Sequence, residues 1–184
     1  MGPMGVGDLS AALWQERRQL ELLLFRLETQ RLHVLAGNLQ WLSFTSSEVE
    51  SVLDRLRFEA LARSVESAAV AAEWGLPAQA SLIELVGGAP AGPWPEILQE
   101  HANGLHALLA ALSNAARANE DALRQLDYSV PSAEAGSGGA ASLPSDAAQV
   151  LDQLTTAGNI ERALAVTLRT PQPLLAQYLD GRRN

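Results

Sequence analysis

The stretch that decides the fold runs from Trp94 to Asp127 and reads WPEILQEHANGLHALLAALSNAARANEDALRQLD. Starting at Leu98, every seventh position is leucine except for one asparagine: Leu98, Leu105, Leu112, Asn119 and Leu126. Three residues after the first four of these come His101, Leu108, Ala115 and Ala122. This a/d pattern over four heptads predicts one long helix that packs along a neighbouring helix.

Asn119 is the one polar residue among the a positions of this helix. A buried asparagine at such a position lowers stability but can fix the register and the number of partner helices. Alternatively, local rotation of the helix leaves Asn119 at the edge of the packed face. The sequence favours neither interpretation.

Upstream, the sequence predicts a first helix from Asp8 to about Ala36, with Gly37 and Asn38 as its stop signal. Its apolar face repeats every seven residues and is widened by further leucines: Leu13, Leu20, Leu27 and Val34, with Leu9, Leu23, Leu24, Leu32 and Leu35. Residues 1–7 lack this pattern, and we expect them to be disordered.

A second helix is predicted from the capping-box sequence Thr45–Glu48 to about Trp74, with Gly75, Leu76 and Pro77 as its stop signal. Two rows of apolar residues follow its helical period: Val49, Leu53, Leu56 and Ala60, and then Leu61, Val65, Ala68 and Ala72. Glu59 lies four residues from both Arg55 and Arg63, so we expect it to form solvated ion pairs with them on the opposite face.

After the third long helix, residues 130–144 are rich in proline, serine, glycine and alanine, which predicts a flexible linker. The tail, residues 145–184, should then be helical. Ser145 caps a helix that Gly158 and Asn159 end. Shorter helical pieces are expected at 160–168 and 174–179, separated by prolines.

Together these elements predict an all-α protein. Its bundle, residues 8–129, should be an elongated antiparallel arrangement of three long helices of coiled-coil type, followed by the flexible linker and the short helical tail.

The composition excludes several classes of function. The formal net charge of −8 and the pI of about 4.8 leave no basic surface for nucleic acid. The absence of cysteine removes disulfides and thiolate chemistry and suits a reducing cytosol. The N-terminus does not resemble a secretion signal, and no apolar run has the roughly 20 residues of a membrane span. We therefore expect a cytoplasmic protein without membrane insertion.

Catalytic and metal sites are not indicated either. His101 and His106 are five residues apart, which points them to different helix faces, and no carboxylate completes a metal-binding pattern. Because no strand is predicted, none of the serines lies in a strand–turn–helix nucleophile motif. We predict no catalytic residue, no metal and no cofactor, and a protein that binds other helices and is not an enzyme.

Four segments of the chain form a pattern by their order: Leu13–Arg17 through Leu22–Glu28, Trp41-Leu42 with Glu48–Glu50, Trp74–Pro77 followed by Ser81-Leu82 and Leu85, and Ala118–Glu120 with Leu123. These segments resemble the FlgN family of flagellar export chaperones, in particular its actinobacterial branch. Their order and spacing extend over residues 8–128. The family usually carries two asparagines three apart in its last long helix, and here Asn119 matches the second while Ala116 stands at the first.

The resemblance implies a cytosolic chaperone that holds the C-terminal helical segment of hook–filament junction proteins, of FlgK and FlgL type, and delivers it to the flagellar type III export gate. A groove along the first and third helices would hold the client, and Tyr128 is either a docking residue or packed on the bundle. The predicted groove residues are Leu20, Leu24, Leu27, Leu98, Leu105, Leu108, Leu112, Asn119, Leu123 and Leu126. We expect a monomer or weak dimer. The alternative is a structural coiled-coil scaffold that dimerises through the same faces.

The tail resembles the C-terminal helix of a FlgL-type junction protein in a few positions: Leu164, Leu168, Leu174, Leu175, Tyr178 and Leu179. Three explanations remain open. The tail is a fused client segment, or an internal pseudo-client that occupies the groove until it is displaced, or a chance similarity among alanine- and leucine-rich helices. We predict that it folds onto the groove of the long helices.

Overall fold

The computed structural model describes residues 4–129 and 144–181. Helices account for most of these residues, and no strand occurs among them, so the all-α prediction is confirmed. In the described ranges six α-helices and one 3₁₀ turn follow one another: α1 (Met4–Leu35), the 3₁₀ turn (Leu39–Trp41), α2 (Leu42–Glu73), α3 (Leu82–Gly88), α4 (Trp94–Ser129), α5 (Pro144–Leu168) and α6 (Pro173–Asp180). The predicted linker, residues 130–144, is described only at Pro144, which belongs to α5, as does Ser145, the predicted cap of this helix. Residues 130–143 and the side chain of Tyr128 lie outside the described part of the chain.

The first helix begins four residues earlier than the sequence predicts. Met4–Gly7, placed in the predicted disordered N-terminus, belong to α1. Val6 is buried, and Gly5 lies against the side chain of Val70, so packing on α2 extends the helix past its apparent start. The predicted stops are confirmed, because Gly37 and Gly75 follow α1 and α2 with φ of 76° and 69°, which glycine adopts without strain.

The second helix also begins earlier than its capping-box sequence suggests. The 3₁₀ turn leads directly into α2 at Leu42, whose side chain is fully buried. Thr45 Oγ1 donates to the Leu42 carbonyl at 3.2 Å, so its hydroxyl bonds within the first turn and does not cap it. A true capping box occurs at α3, where the Ser81 hydroxyl accepts from the Glu84 amide and the Glu84 carboxylate accepts from the Ser81 amide.

The described part of the tail, residues 144–181, forms two helices and not three. The predicted stop at Gly158 and Asn159 is wrong, because α5 continues through both residues to Leu168. A glycine inside a helix costs only about 1 kcal/mol, and Ile160 and Ala163, directly beyond it, are fully buried. The burial of these two side chains outweighs the local preference. In α6, Pro173 occupies the first helical turn, where proline is tolerated.

The described chain divides into two compact units. The first contains the described residues of Met1–Phe25, Ser51–Asn114 and Pro171–Asn184, and the second contains those of Arg26–Glu50 and Ala115–Thr170. In the first unit α3 packs on α6. In the second unit the core is formed by Val34, Leu42, Ala122, Leu123, Ile160 and Ala163, with Leu39, Leu126 and Leu164 packed against it.

Candidate functional site

The predicted groove residues of the first unit are interior residues. Leu20, Leu98 and Leu105 are fully inaccessible to solvent, and Leu112 is buried. Leu24 and Leu108 are partly buried. The heptad pattern of α4 therefore marks the face that packs inside this unit, and in the described state these leucines do not form an open groove.

The predicted groove residues of the second unit also lie in its interior. Leu27 and Leu123 are fully buried, and Leu126 is partly buried. Asn119 is also fully buried, which excludes a position at the edge of the packed face. Its Nδ2 donates to the Ala115 carbonyl at 2.8 Å, while its Oδ1 has no partner among the described residues.

In the second unit the tail helix α5 packs on the long helices. Ile160 and Ala163 lie in one core cluster with residues of α1, α2 and α4, and Leu164 packs against it. Arg162 and Arg169 both bind the Glu50 carboxylate, at 2.9 and 3.4 Å. The hydrogen bond from Arg162 is the main cause of a lowered pKa of Glu50. Leu168, predicted as client-like, is more than half exposed.

In the first unit the tail helix α6 is held by side chains on one face. Leu175 and Leu179 are buried, whereas Leu174 points outward and is 73% exposed. The Tyr178 hydroxyl donates to Ser67 Oγ at 3.1 Å. Asp180 binds His106 Nε2 at 3.0 Å near the surface. Of the client-like residues in α6, three pack inward and one does not.

Tyr178 covers a buried ion pair. Arg63 Nη1 donates to Glu16 Oε1 at 2.5 Å, and both side chains are at most 5% exposed. The Arg63 guanidinium lies 4.7 Å from the centre of the Tyr178 ring, a cation–π distance. Burial raises the pKa of Glu16, and Arg63 opposes this effect. The expected solvated pair between Arg63 and Glu59 is thus replaced by a buried pair with Glu16, while Arg55 binds Glu59 at 3.4 Å.

His101 is the centre of a second polar cluster in the first unit. Ser10 Oγ lies 2.9 Å from its Nε2, and Arg17 Nη1 lies 3.5 Å from its Nδ1. A guanidinium can only donate, so Nδ1 accepts and Nε2–H donates to Ser10. Trp14 meets the imidazole edge-on at 5.2 Å, and Arg17 stacks over the Trp14 ring at 4.3 Å. At Gly104 a Cβ would overlap the guanidinium of Arg17, so glycine makes this approach possible.

The Ser10–His101 pair has the spacing of a nucleophile and its base, but its electrostatics oppose that use. Burial, with a further contribution from the Arg17 charge, lowers the pKa of His101 from 6.5 to about 4. A general base works best with a pKa near the operating pH and with an acidic group behind it, whereas here a cation stands at Nδ1. No sequence pattern indicated this pair, whose members are 91 residues apart.

Neither a metal-binding cluster nor a membrane-spanning helix occurs in the described residues. No group of three or more histidine, aspartate or glutamate side chains there could hold a metal ion. Within the same part of the chain, none of the helices combines the length and the apolar character needed to cross a bilayer.

The outer face of α2 is a predicted apolar row that the first unit leaves in contact with solvent. Leu61 and Val65, grouped by the sequence with Ala68 and Ala72, are 65% and 66% exposed, and Phe58 beside them is 71% exposed. The other row is buried at Leu53 and Leu56. Periodicity identified both rows as apolar but could not say which one faces the interior.

Comparison of the chain with protein-family models, with curated proteins and with solved structures gives no match. Functional assignment therefore depends on the residues and their geometry.

Proposed function

We propose that this chain is a flagellar type III export chaperone that binds the C-terminal helical segments of hook–filament junction proteins and delivers them to the export gate. The observation that supports it best is the packing of the tail helices α5 and α6. In the second unit α5 buries Ile160 and Ala163 on the long helices. In the first unit α6 buries Leu175 and Leu179, packs on α3 and contacts α2 through Tyr178. A surface that accepts such helices has the chemistry of helix-in-groove recognition.

The finer architecture belongs to the same proposal. The long helices α1, α2 and α4 would form an antiparallel coiled-coil-like bundle, working in the cytoplasm as a monomer or weak dimer, without catalysis. Leu123 of the predicted groove lies in one core cluster with Ile160 and Ala163 of α5, and Leu126 of the groove packs against this cluster. These two leucines become available to a client only when α5 dissociates, so the tail acts as an internal pseudo-client. The resemblance of Leu164, Leu175 and Leu179 to a junction-protein helix supports this role.

Purified junction proteins from the same genome test the proposal, each prepared with and without its C-terminal helix. We expect this chain to capture the full-length proteins in a pull-down and to lose them on truncation. Capture of neither form, or equal capture of both, would contradict the chaperone function. Light scattering separates the scaffold alternative, which requires a stable dimer that has no affinity for these segments.

The competition by α5 has its own test. Replacing Arg162 and Arg169 by alanine removes both exposed ion pairs to Glu50. We expect α5 to dissociate from the long helices more often, and the affinity of the chain for its client to rise because the internal competitor is weakened. The matched control is Arg124→Ala, which removes an exposed ion pair to Glu120 within α4. Equal affinities in the two variants would argue against an internal competitor.

A further inference from the structure

The outer face of α2 in the first unit carries three large apolar side chains in a row. Phe58, Leu61 and Val65 are spaced i, i+3 and i+7, so they lie on one side of the helix. Their exposed fractions are 71%, 65% and 66%. We call this row, with the exposed alanines that extend it, the α2 stripe. Contiguous exposed apolar surface of this kind is typical of an interaction site.

The remainder of the α2 stripe is made of small residues. Ala62, Ala69 and Ala72 are exposed and continue the same face. From Phe58 to Ala72 the stripe is about 21 Å long at a rise of 1.5 Å per residue. Small side chains allow another backbone to approach closely, while Phe58 gives a large contact at one end. The shape fits a partner helix of about four turns.

The charges along the α2 stripe have one sign at its C-terminal half. At the other end, Arg57 is bound to Asp54 and Arg55 is bound to Glu59, at 3.6 and 3.4 Å. From Leu61 to Glu73 the one basic residue, Arg63, is buried against Glu16.

Two carboxylates remain in that half, on Glu66 and Glu73. Within the described part of the chain neither forms an ion pair, and the Glu73 carboxylate lies beside Gly5 in the first turn of α1. They are seven residues apart and therefore lie on the same edge of the stripe.

A second copy of this chain is a poor occupant. Two-fold symmetric antiparallel pairing brings the same edge of both helices together. In a pairing centred on the stripe, Glu66 of each copy would lie near Glu66 of the other, and Glu73 would lie near Arg55, which is already bound to Glu59. Each chain also carries a net charge of −8, which adds long-range repulsion.

We propose that the α2 stripe binds a basic amphipathic helix of another protein. That helix presents an apolar face to Phe58, Leu61 and Val65 and places two lysines or arginines, about one heptad apart, opposite Glu66 and Glu73. This surface is separate from the leucines of α1 and α4 on which the proposed function depends, so the two proposals can fail independently.

Two synthetic helical peptides of four turns test the proposal with the full chain. Both carry leucine at i, i+3, i+4 and i+7, and one has lysines and the other glutamates beside the leucines. We expect the lysine peptide to bind in fluorescence anisotropy, with an affinity that falls as salt is added, and the glutamate peptide to bind more than about ten-fold more weakly.

Variants locate the binding. Leu61→Gln combined with Val65→Thr should weaken the lysine peptide by more than about ten-fold, and Glu66→Arg with Glu73→Arg should reverse the preference between the peptides. Because these side chains are at the surface, circular dichroism should be unchanged. The control Leu174→Gln alters an equally exposed leucine of α6 and should leave binding intact.

Equal binding of both peptides, or equal losses in the stripe and control variants, would overturn the proposal. A dimer in sedimentation that Leu61→Gln with Val65→Thr dissolves would also overturn it, since the stripe would then belong to a second copy.

Discussion

In the first unit the buried polar side chains of Glu16, Arg63 and Ser67 each have a partner from a distant part of the chain, although Glu16 Oε2 and Arg63 Nε have none among the described residues. In the second unit Gln30 is fully buried, and neither its Oε1 nor its Nε2 has a partner among the described residues. The hydroxyls of Ser46 and Thr167 are in the same state. The two cases respond differently to mutation. Removing the partner of a paired buried group lowers the stability of the fold, whereas replacing an unpaired buried polar group by an apolar one raises it.

The strongest test of this difference is Arg63→Ala in the first unit. It leaves the Glu16 carboxylate buried and without its cation, so we expect a loss of about 3–5 kcal/mol in the free energy of unfolding. Urea denaturation measures it, provided that the m-value is unchanged. Arg57→Ala is the control, since its ion pair with Asp54 is exposed, and it should cost less than about 1 kcal/mol. Similar losses in the two variants would contradict a special role for the buried pair.

The second unit should respond in the opposite direction. Gln30→Met keeps a similar volume and removes two buried polar atoms, so we expect stabilisation by about 1–3 kcal/mol. The same denaturation assay applies. In the control Gln99→Met, an exposed amide loses its bond to Asn103, and stability should change by less than about 0.5 kcal/mol. Destabilisation by Gln30→Met would show that its amide is satisfied in solution, for example by an internal water.

The stability of the fold should depend on pH through His101, in the first unit. Its pKa is about 4 in the folded protein against an ordinary value of 6.5, so between these values the unfolded chain binds the additional proton. His101 therefore destabilises the fold progressively as the pH falls from about 6.5 towards 4. In His101→Gln this part of the slope should disappear, measured as the urea midpoint at several pH values. Gln99→Met, which removes no titratable group, should keep the wild-type slope, and an unchanged slope in His101→Gln would contradict the assignment.

The smallest effect is expected at the tail. Tyr178→Phe removes the hydrogen bond to Ser67 but keeps the ring over Arg63, so we expect a loss of about 0.5–1.5 kcal/mol in unfolding free energy. Tyr178→Leu also removes the aromatic face and should cost more. Equal losses in the two variants would mean that the ring contributes nothing beyond its apolar area. Burial also raises the pKa of the Tyr178 phenol, which an ultraviolet titration can follow.

Some parts of this protein follow from local patterns in the sequence. The heptads of α4 predicted a long helix with Leu98, Leu105 and Leu112 on its packed face, and all three are buried. Gly37 and Gly75 predicted where α1 and α2 end. These patterns work because helical period and the freedom of glycine at positive φ act over a few residues.

Other features required the tertiary structure. Glu16 and Arg63, which form the buried ion pair, are 47 residues apart in the sequence, and Tyr178 and Ser67 are 111 residues apart. The helix α5 continues through Gly158 because Ile160 and Ala163, which follow it, pack on the other chain segments of the second unit. In α2 the sequence determined that two apolar rows exist, but only packing decided that Leu53 and Leu56 lie inside while Leu61 and Val65 face solvent. Periodicity fixes the angle between two rows on a helix, whereas the choice of the buried row depends on which surface the rest of the chain covers.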